Sequence, residues 1–447
     1  MTKNRRRYLS REKNGVTDVL DKCVKLFLKE HRDSNLLRHD VQAFRRAADT
    51  LESAALARRK SFKSASDSAR QYVQERIPAG FYRGGTSRAI IFNKKHLPED
   101  KEECSDAFQQ HIGSKQICLV EVAPAESEAD ILYTLVGVGI EGNEVGLNGN
   151  WGAMAAAIGP YAYNEDMALP MKSSGKRVSG TCSDQAVLQP FGVTYNILNT
   201  NTNVMIRSSF LAIGNQAYVD DSVSIDGVTG YGTGVTLDFL RPGGSKTGKL
   251  LPTGKPVDII NGINVSCVDA TIPCVFVKAS DLDIEPTILP TQFLARPADL
   301  QRLEDIRSQA AILMGLCKTG DTPPRFIPKI GILSPPVEQQ ILSKEINPAD
   351  TLDLVVRFVS DGRPHRVIPL TAALCTAAAA KVPGSIVQQC VREASVNEGF
   401  ITIGHPSGRI QVNATMDGEG DVECCTVVRT ARRIMSGHIY YTPKPIS

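Results

Sequence analysis

The sequence predicts an α+β fold in which short strands outnumber helices, and three observations carry that prediction. β-rich segments recur from Ile77 onward with glycine and proline between them, and they do not alternate regularly with helices. Two runs of small residues, Ala153 to Ala162 and Pro369 to Ala380, read as helices. Each of these runs follows a strand and a polar loop, so one strand–loop–helix unit occurs in each half of the body. The domain boundaries expected are a basic helical extension over 1–76, a first domain over 77–250 and a second over 251–447, with the last strand able to return to the first domain.

Taken in order, the extension comes first. Val16, Leu20, Cys23, Val24 and Phe27 fall at helical spacing, as do Ala43, Phe44, Ala47, Leu51 and Ala55, with Arg and Lys on the other faces. A Ser/Lys linker, Lys60 to Ser68, follows this helical hairpin. The character changes at Ile77-Pro78-Ala79-Gly80. Strands are then expected at Ala89 to Phe92, Gln116 to Val122, Ile131 to Ile140, Val204 to Ile206 and Val235 to Phe239. Further ones fall at Val257 to Ile260, Cys274 to Lys278, Leu352 to Val359 and Arg409 to Ala414. Gln292 to Met314 and Pro383 to Arg392 add two more helices.

The internal similarity bears on function. Ile131–Ile140 leads into Asn150-Trp151-Gly152-Ala153, and Leu352–Val359 leads through Gly362-Arg363-Pro364-His365 into Thr371-Ala372-Ala373. An alanine-rich helix approaches a curved sheet closely, because it has little side chain to clear. Two such half-barrels would set two helix N-termini face to face, where free N–H groups and the helix dipole attract carboxylates. That geometry suits a di- or tricarboxylic acid. Simple repetition of a common strand–helix unit would give the same sequence pattern.

Charge and cysteine content narrow the classes. The chain of 447 residues carries a net +3, but residues 1–80 hold 19 Lys+Arg against 10 Asp+Glu, so a basic arm precedes a mildly acidic body. Hydrophobic residues at 42% and charged residues at 22% are ordinary for a globular chain and exclude a disordered or fibrous one. No run approaches the roughly 20 apolar residues of a membrane-spanning helix. No apolar block follows the basic N-terminus as in a secretory signal, and Glu12, Asp18 and Asp21 break the acid-poor signature of mitochondrial targeting. The 11 cysteines are mostly in apolar contexts without a CxxC pair, and read as reduced core thiols of a cytoplasmic protein. The 7 scattered histidines include no HExxH pattern, so no metal site is expected. No nucleic-acid-reading module accompanies the arginines of the arm.

Several motifs resemble those of the PrpF family, the 2-methylaconitate, methylitaconate and aconitate isomerases. Arg83-Gly84-Gly85-Thr86-Ser87-Arg88 resembles the family's RGGTSK, and Thr247-Gly248-Lys249-Leu250-Leu251-Pro252-Thr253-Gly254 resembles TGKLLPTG. Ser114-Lys115 before a strand is similar to the TSK segment, and Pro364-His365-Arg366 through Thr371 to Thr376 to the MHxA…TGAxCT segment. His405-Pro406-Ser407-Gly408 and the tail from Arg429 complete the set, in family order, from about Ile77 to Pro443.

The resemblance implies a diaminopimelate-epimerase-like fold with the site between two similar halves, and no metal or organic cofactor. It implies a 1,3-proton shift or cis–trans isomerisation of an unsaturated polycarboxylate. Lys115 matches the catalytic lysine, which works as a base when burial or neighbouring cations lower its pKa. Arg83, Gly84, Gly85, Thr86 and Ser87 form a turn whose glycines let backbone approach a ligand and whose hydroxyls donate. Ser114, Gly152, Thr247, Lys249, His365, Arg366 and Thr371 join the expected substrate-binding set, Arg366 because a guanidinium pairs well with a carboxylate. The family's NCGN reads here as Asn150-Trp151-Gly152-Ala153, so Trp151, the only tryptophan, replaces a proton-exchanging cysteine. The glycine-rich loop before Ser114 is absent, and TGA has become Thr371-Ala372-Ala373. The expected function is thus a cofactor-independent isomerase with a pocket reshaped by Trp151, and a homodimer. A catalytically silent binding or regulatory relative is the alternative.

Overall fold

The structure, a computed structural model, describes residues 74–100, 103–105, 107–108, 116–138, 145–146, 152–174, 189–392 and 399–442. The helical extension expected over 1–76 lies outside the described residues but for its last three. The longer strands of the first part are β1 Glu75–Gly84, β2 Ser87–Asn93, β3 Gln116–Val122, β4 Ile131–Val138, β5 Phe191–Asn199, β6 Val204–Ile213 and β7 Gly234–Leu240. Those of the second are β8 Ile263–Ala270, β9 Ile272–Lys278, β10 Lys329–Ser334, β11 Leu354–Ser360, β12 Ile401–His405, β13 Gly408–Met416 and β14 Val422–Tyr441. The longer helices are α1 Ala155–Asn164, α2 Pro297–Leu313 and α3 Leu370–Lys381.

Pairing runs β1–β2–β3–β4–β5–β6–β7–β14 and from β14 back to β1, so eight strands of mixed direction close into a ring. Helix α1 touches β1, β5, β6, β7 and β14, which puts it inside that ring. Its sequence allows this. AAAIGPYAY is buried all round, as a helix without a polar face must be. A Cβ on Gly159 would lie 2.6 Å from Ser208 Oγ and 3.0 Å from Phe210 Cε1, so the backbone of α1 rides directly on β6.

The second sheet runs β8–β9–β10–β11–β12–β13–β14. It curls around α3, which packs on β8, β9, β13 and β14 and buries 11 of its 12 residues. Among the described residues this sheet stays open, in contrast to the ring. The reason lies in β14: Val427 pairs with Leu237 of β7 on one edge and Val412 of β13 on the other, so no edge remains there for β8. One 20-residue strand thus serves both sheets. It leaves β13 after Val427 and reaches β1 at Ala431, and the segment between lies at the seam.

Element bounds depart from expectation where local chemistry intervenes. The helix expected over 292–314 is broken into Pro290–Leu294 and α2, because Pro297 starts a new first turn. The helix expected over 383–392 shrinks to Ile386–Cys390, capped by Ser385 accepting from the Gln388 N–H. Strand β10, buried at every position, offers no alternation to read, and the asparagines of β5 argue against a strand. Among the described residues no helix is long and apolar enough to cross a membrane.

Candidate functional site

The turn from β1 to β2 carries the first expected site residues. Arg83 pairs with Arg88 and Gly84 with Ser87, leaving Gly85 and Thr86 as a two-residue hairpin turn. Gly85 takes φ +53°, which suits glycine at the first turn position. A Cβ on Gly84 would come within 2.8 Å of Ala153 O and 3.0 Å of Met154 Cα, so this turn rests on the backbone that leads into α1. Thr430 of β14 fixes it from the other side. The Gly85 N–H donates to Thr430 O at 2.8 Å, and Arg83 Nη1 donates to Thr430 Oγ1 at 2.8 Å and to Gly85 O at 3.0 Å. Burial, Arg432 and Arg88 lower the pKa of the Arg83 guanidinium.

The starts of the two alanine-rich helices meet. A Cβ on Gly152, which opens the turn into α1, would lie 3.3 Å from Thr371 Cγ2 and 3.6 Å from Leu370 Cδ2, both in the first turn of α3. Thr371 is itself held by the β8–β9 hairpin: Thr271, at φ +65°, donates its hydroxyl to Thr371 O at 2.7 Å.

A third contribution comes from the loop at Gly227. A Cβ there would lie 3.6 Å from Val367 Cγ2 and 3.9 Å from both Ser407 Cβ and Thr86 Cγ2, so the β1–β2 turn, the segment after His365 and the β12–β13 turn converge on it. Ser407 Oγ donates to Arg366 O at 2.7 Å, while the Arg366 side chain is exposed. Beside these elements runs a groove of about 780 Å³, lined by Arg83, Gly85, Thr86, Ser87 and Arg88 and by Gly227, Val228 and Arg432 among others. Its lining includes three arginines and no carboxylate among the described residues, an environment that favours an anion.

Lys115, Ser114 and Trp151 lie outside the described residues. Thr247 is tied down by Asp269, a carboxylate with no solvent exposure. Asp269 accepts from Ser245 Oγ at 2.6 Å, from the Lys246 and Thr247 N–H groups at 2.8 Å each, and from Thr247 Oγ1 at 2.9 Å. The TGKLLPTG segment is therefore clamped to the end of β8, with Lys249 exposed. The His365 ring turns to the second sheet, 2.7 Å from Ser360 Oγ, which also accepts from Lys329 Nζ at 3.3 Å. Burial and then Lys329 lower the His365 pKa to about 4, so the ring is neutral at pH 7.

Sequence reasoning passed over two residues that shape this region. Asp269 could have been found as the one acid in β8, next to the strand's last residue. Arg429 could have been found as a cation in step with Cys425 and Val427 on the inward face of β14; it is 7% exposed.

Comparison with known proteins agrees with this architecture. A family model described as "PrpF protein" matches residues 74–442. The 3-methylitaconate isomerase of Eubacterium barkeri is 31% identical over 391 residues, covering 82% of this chain and 97% of that protein. The 2-methyl-aconitate isomerase of Shewanella oneidensis is 28% identical, covering 83% and 98%. The (4E)-oxalomesaconate Delta-isomerase of a Novosphingobium species is 27% identical, covering 81% and 97%. A crystal structure of methylitaconate-delta-isomerase superposes with a TM-score of 0.72 at 30% identity, over 83% of this chain and 96% of that one.

Proposed function

The chain belongs to the PrpF family, and from that premise we propose that it is an isomerase of a small unsaturated polycarboxylic acid, working by a proton shift at the convergence of the two helix starts. The observation that carries this reading is the close approach of Gly152 to Thr371 beside the arginine-lined turn of Arg83 to Ser87. Two helix N-termini and several guanidinium groups suit a ligand with two or three carboxylates. The names of the relatives support the substrate class: each acts on an unsaturated acid.

Chemically, removing a proton next to a conjugated acid gives an extended enolate. That step needs a base near the carbon, donors for the growing negative charge and cations for the carboxylates. In this reading Lys115 is the base, Thr86 and Ser87 are donors, and the arginines neutralise carboxylates. Returning the proton two carbons away moves the double bond; returning it after rotation exchanges cis and trans. Trp151, in place of the family cysteine, leaves the lysine as the acid/base group of the first half and reshapes the pocket around the reacting carbon.

Proton exchange by NMR tests the proposal. The protein is incubated in D₂O with cis-aconitate, trans-aconitate, itaconate and 2-methylaconitate. Deuterium entry and a new isomer are expected for at least one acid, and Lys115→Met should lower the rate by at least about 10²-fold. Full activity in Lys115→Met removes that residue from the role. Ligand-induced stabilisation by these acids without any exchange would mark a silent relative.

A further inference from the structure

We propose that Arg429 holds one carboxylate of the substrate at the seam of β14, where the strand passes from the second sheet to the ring. The inference rests on the polycarboxylate reading above and names a residue for it. Arg429 lies between the last pairing with β13, at Val427, and the first with β1, at Ala431, so it stands where the two sheets part. Its side chain is buried, and its Cδ lies 3.6 Å from where a Cβ of Gly85 would be. It therefore sits under the turn of Arg83 to Ser87, next to the residues that lead into α1.

What makes Arg429 informative is the partner it lacks. Among the described residues, no side-chain hydrogen bond and no ion pair within 4.0 Å reaches its guanidinium. The neighbouring carboxylate is Asp226, which is engaged elsewhere: its Oδ2 accepts from the Arg409 N–H at 2.5 Å and lies 4.0 Å from Arg409 Nε. His405, also against Arg429, is held neutral, with a pKa lowered to about 3 by burial, Arg429 and Arg357. Other buried arginines of this protein are treated differently. Arg357 donates to Ile288 O, Val356 O and Gln339 Oε1, and Arg307 pairs with Glu304 and two carbonyls.

A buried cation without an anion at ion-pair distance is costly to keep, and arginine cannot escape by losing its proton near neutrality. Even lowered by burial, the Arg429 pKa stays at about 10. Asp226 offsets part of that cost from a distance, but a charge that persists, is nearly out of water and has no carboxylate at ion-pair distance is matched by a ligand carboxylate, which a planar guanidinium takes in two parallel hydrogen bonds.

The test uses the full chain and calorimetric titration with the four acids named above, alongside melting temperatures without ligand. For at least one acid, R429Q should bind about thirty-fold more weakly or worse, with R429K between it and the wild type. Without ligand, R429Q should melt at or above the wild-type temperature, because the substitution removes an unpaired buried charge rather than a bonded one. Unchanged affinity in R429Q overturns the inference, as does a lowered ligand-free melting temperature or loss of folding, which would mark Arg429 as structural. Binding of none of the four acids by the wild type also overturns it. Arg429-dependent binding without proton exchange would support the inference while sinking the isomerase reading, so the two fail separately.

Discussion

At the residue scale, the candidate site depends on what is left out of side chains as much as on what they supply. Gly84 has no space for a methyl group, because the nearest atoms are the backbone of Ala153 and Met154. Backbone at a helix start does not yield as the end of a flexible side chain does. Gly84→Ala should therefore cost about 1–3 kcal/mol and displace the Thr86 and Ser87 hydroxyls, lowering turnover together with stability. Gly230 is the control. It has φ +83° but open space around it, so Gly230→Ala should cost only about 1 kcal/mol of backbone strain. Urea denaturation and the D₂O exchange rate, measured on both variants, separate a packing effect from a conformational one.

At the scale of elements, a loop rich in glycine, threonine and lysine is made rigid by one buried acid. Asp269, next to the last residue of β8, accepts four hydrogen bonds from Ser245, Lys246 and Thr247. Its own backbone joins in: the Asp269 N–H donates to Leu250 O at 2.9 Å, and Asp269 O accepts from the Gly244 N–H at 2.7 Å. In Asp269→Asn, an amide NH₂ must face donors that the carboxylate satisfied. The expected loss is about 2–4 kcal/mol in chemical denaturation. Thr247→Val removes one hydroxyl and should cost about 1 kcal/mol. Equal losses in the two variants would show that Thr247, not Asp269, organises the loop. The same hairpin positions Thr371 through Thr271, so Asp269→Asn should also weaken binding of the acid in calorimetric titration.

At the scale of the whole molecule, the buried histidines set a pH limit. His365 and His405 have folded-state pKa values lowered to about 4 and about 3, in both cases first by burial. The unfolded chain, with histidines near 6.5, binds more protons between those values and 6.5. Stability is therefore complete above about pH 6.5 and falls as the pH drops through that window. Melting temperature against pH should show this slope, and His365→Gln should flatten its upper part. A profile unchanged by the substitution would mean that His365 titrates alike in both states. The fall needs no loss of surface ion pairs, so it should persist at high salt, where exposed pairs are screened.

Much of this protein could be read from residues alone. The α+β class, both alanine-rich helices and the motif turn at Arg83 to Ser87 follow from local patterns: period, small-residue runs and glycine placement. So does the family. Other features were set by contacts between distant parts of the chain. The ring closes because β14 returns to β1, and the second sheet stays open because β14 has no edge left for β8. Thr247 and His365 match ligand-binding positions in sequence, and only the folded chain shows that each is hydrogen-bonded, to Asp269 and to Ser360. Arg429 looks like one basic residue among several in a tail, and becomes a distinct case only once burial removes its water and no acid comes within ion-pair distance. The sequence determined which segments become strands and helices because those preferences act over a few residues. The tertiary structure decided which polar groups find a protein partner and which do not, because that depends on partners hundreds of residues away.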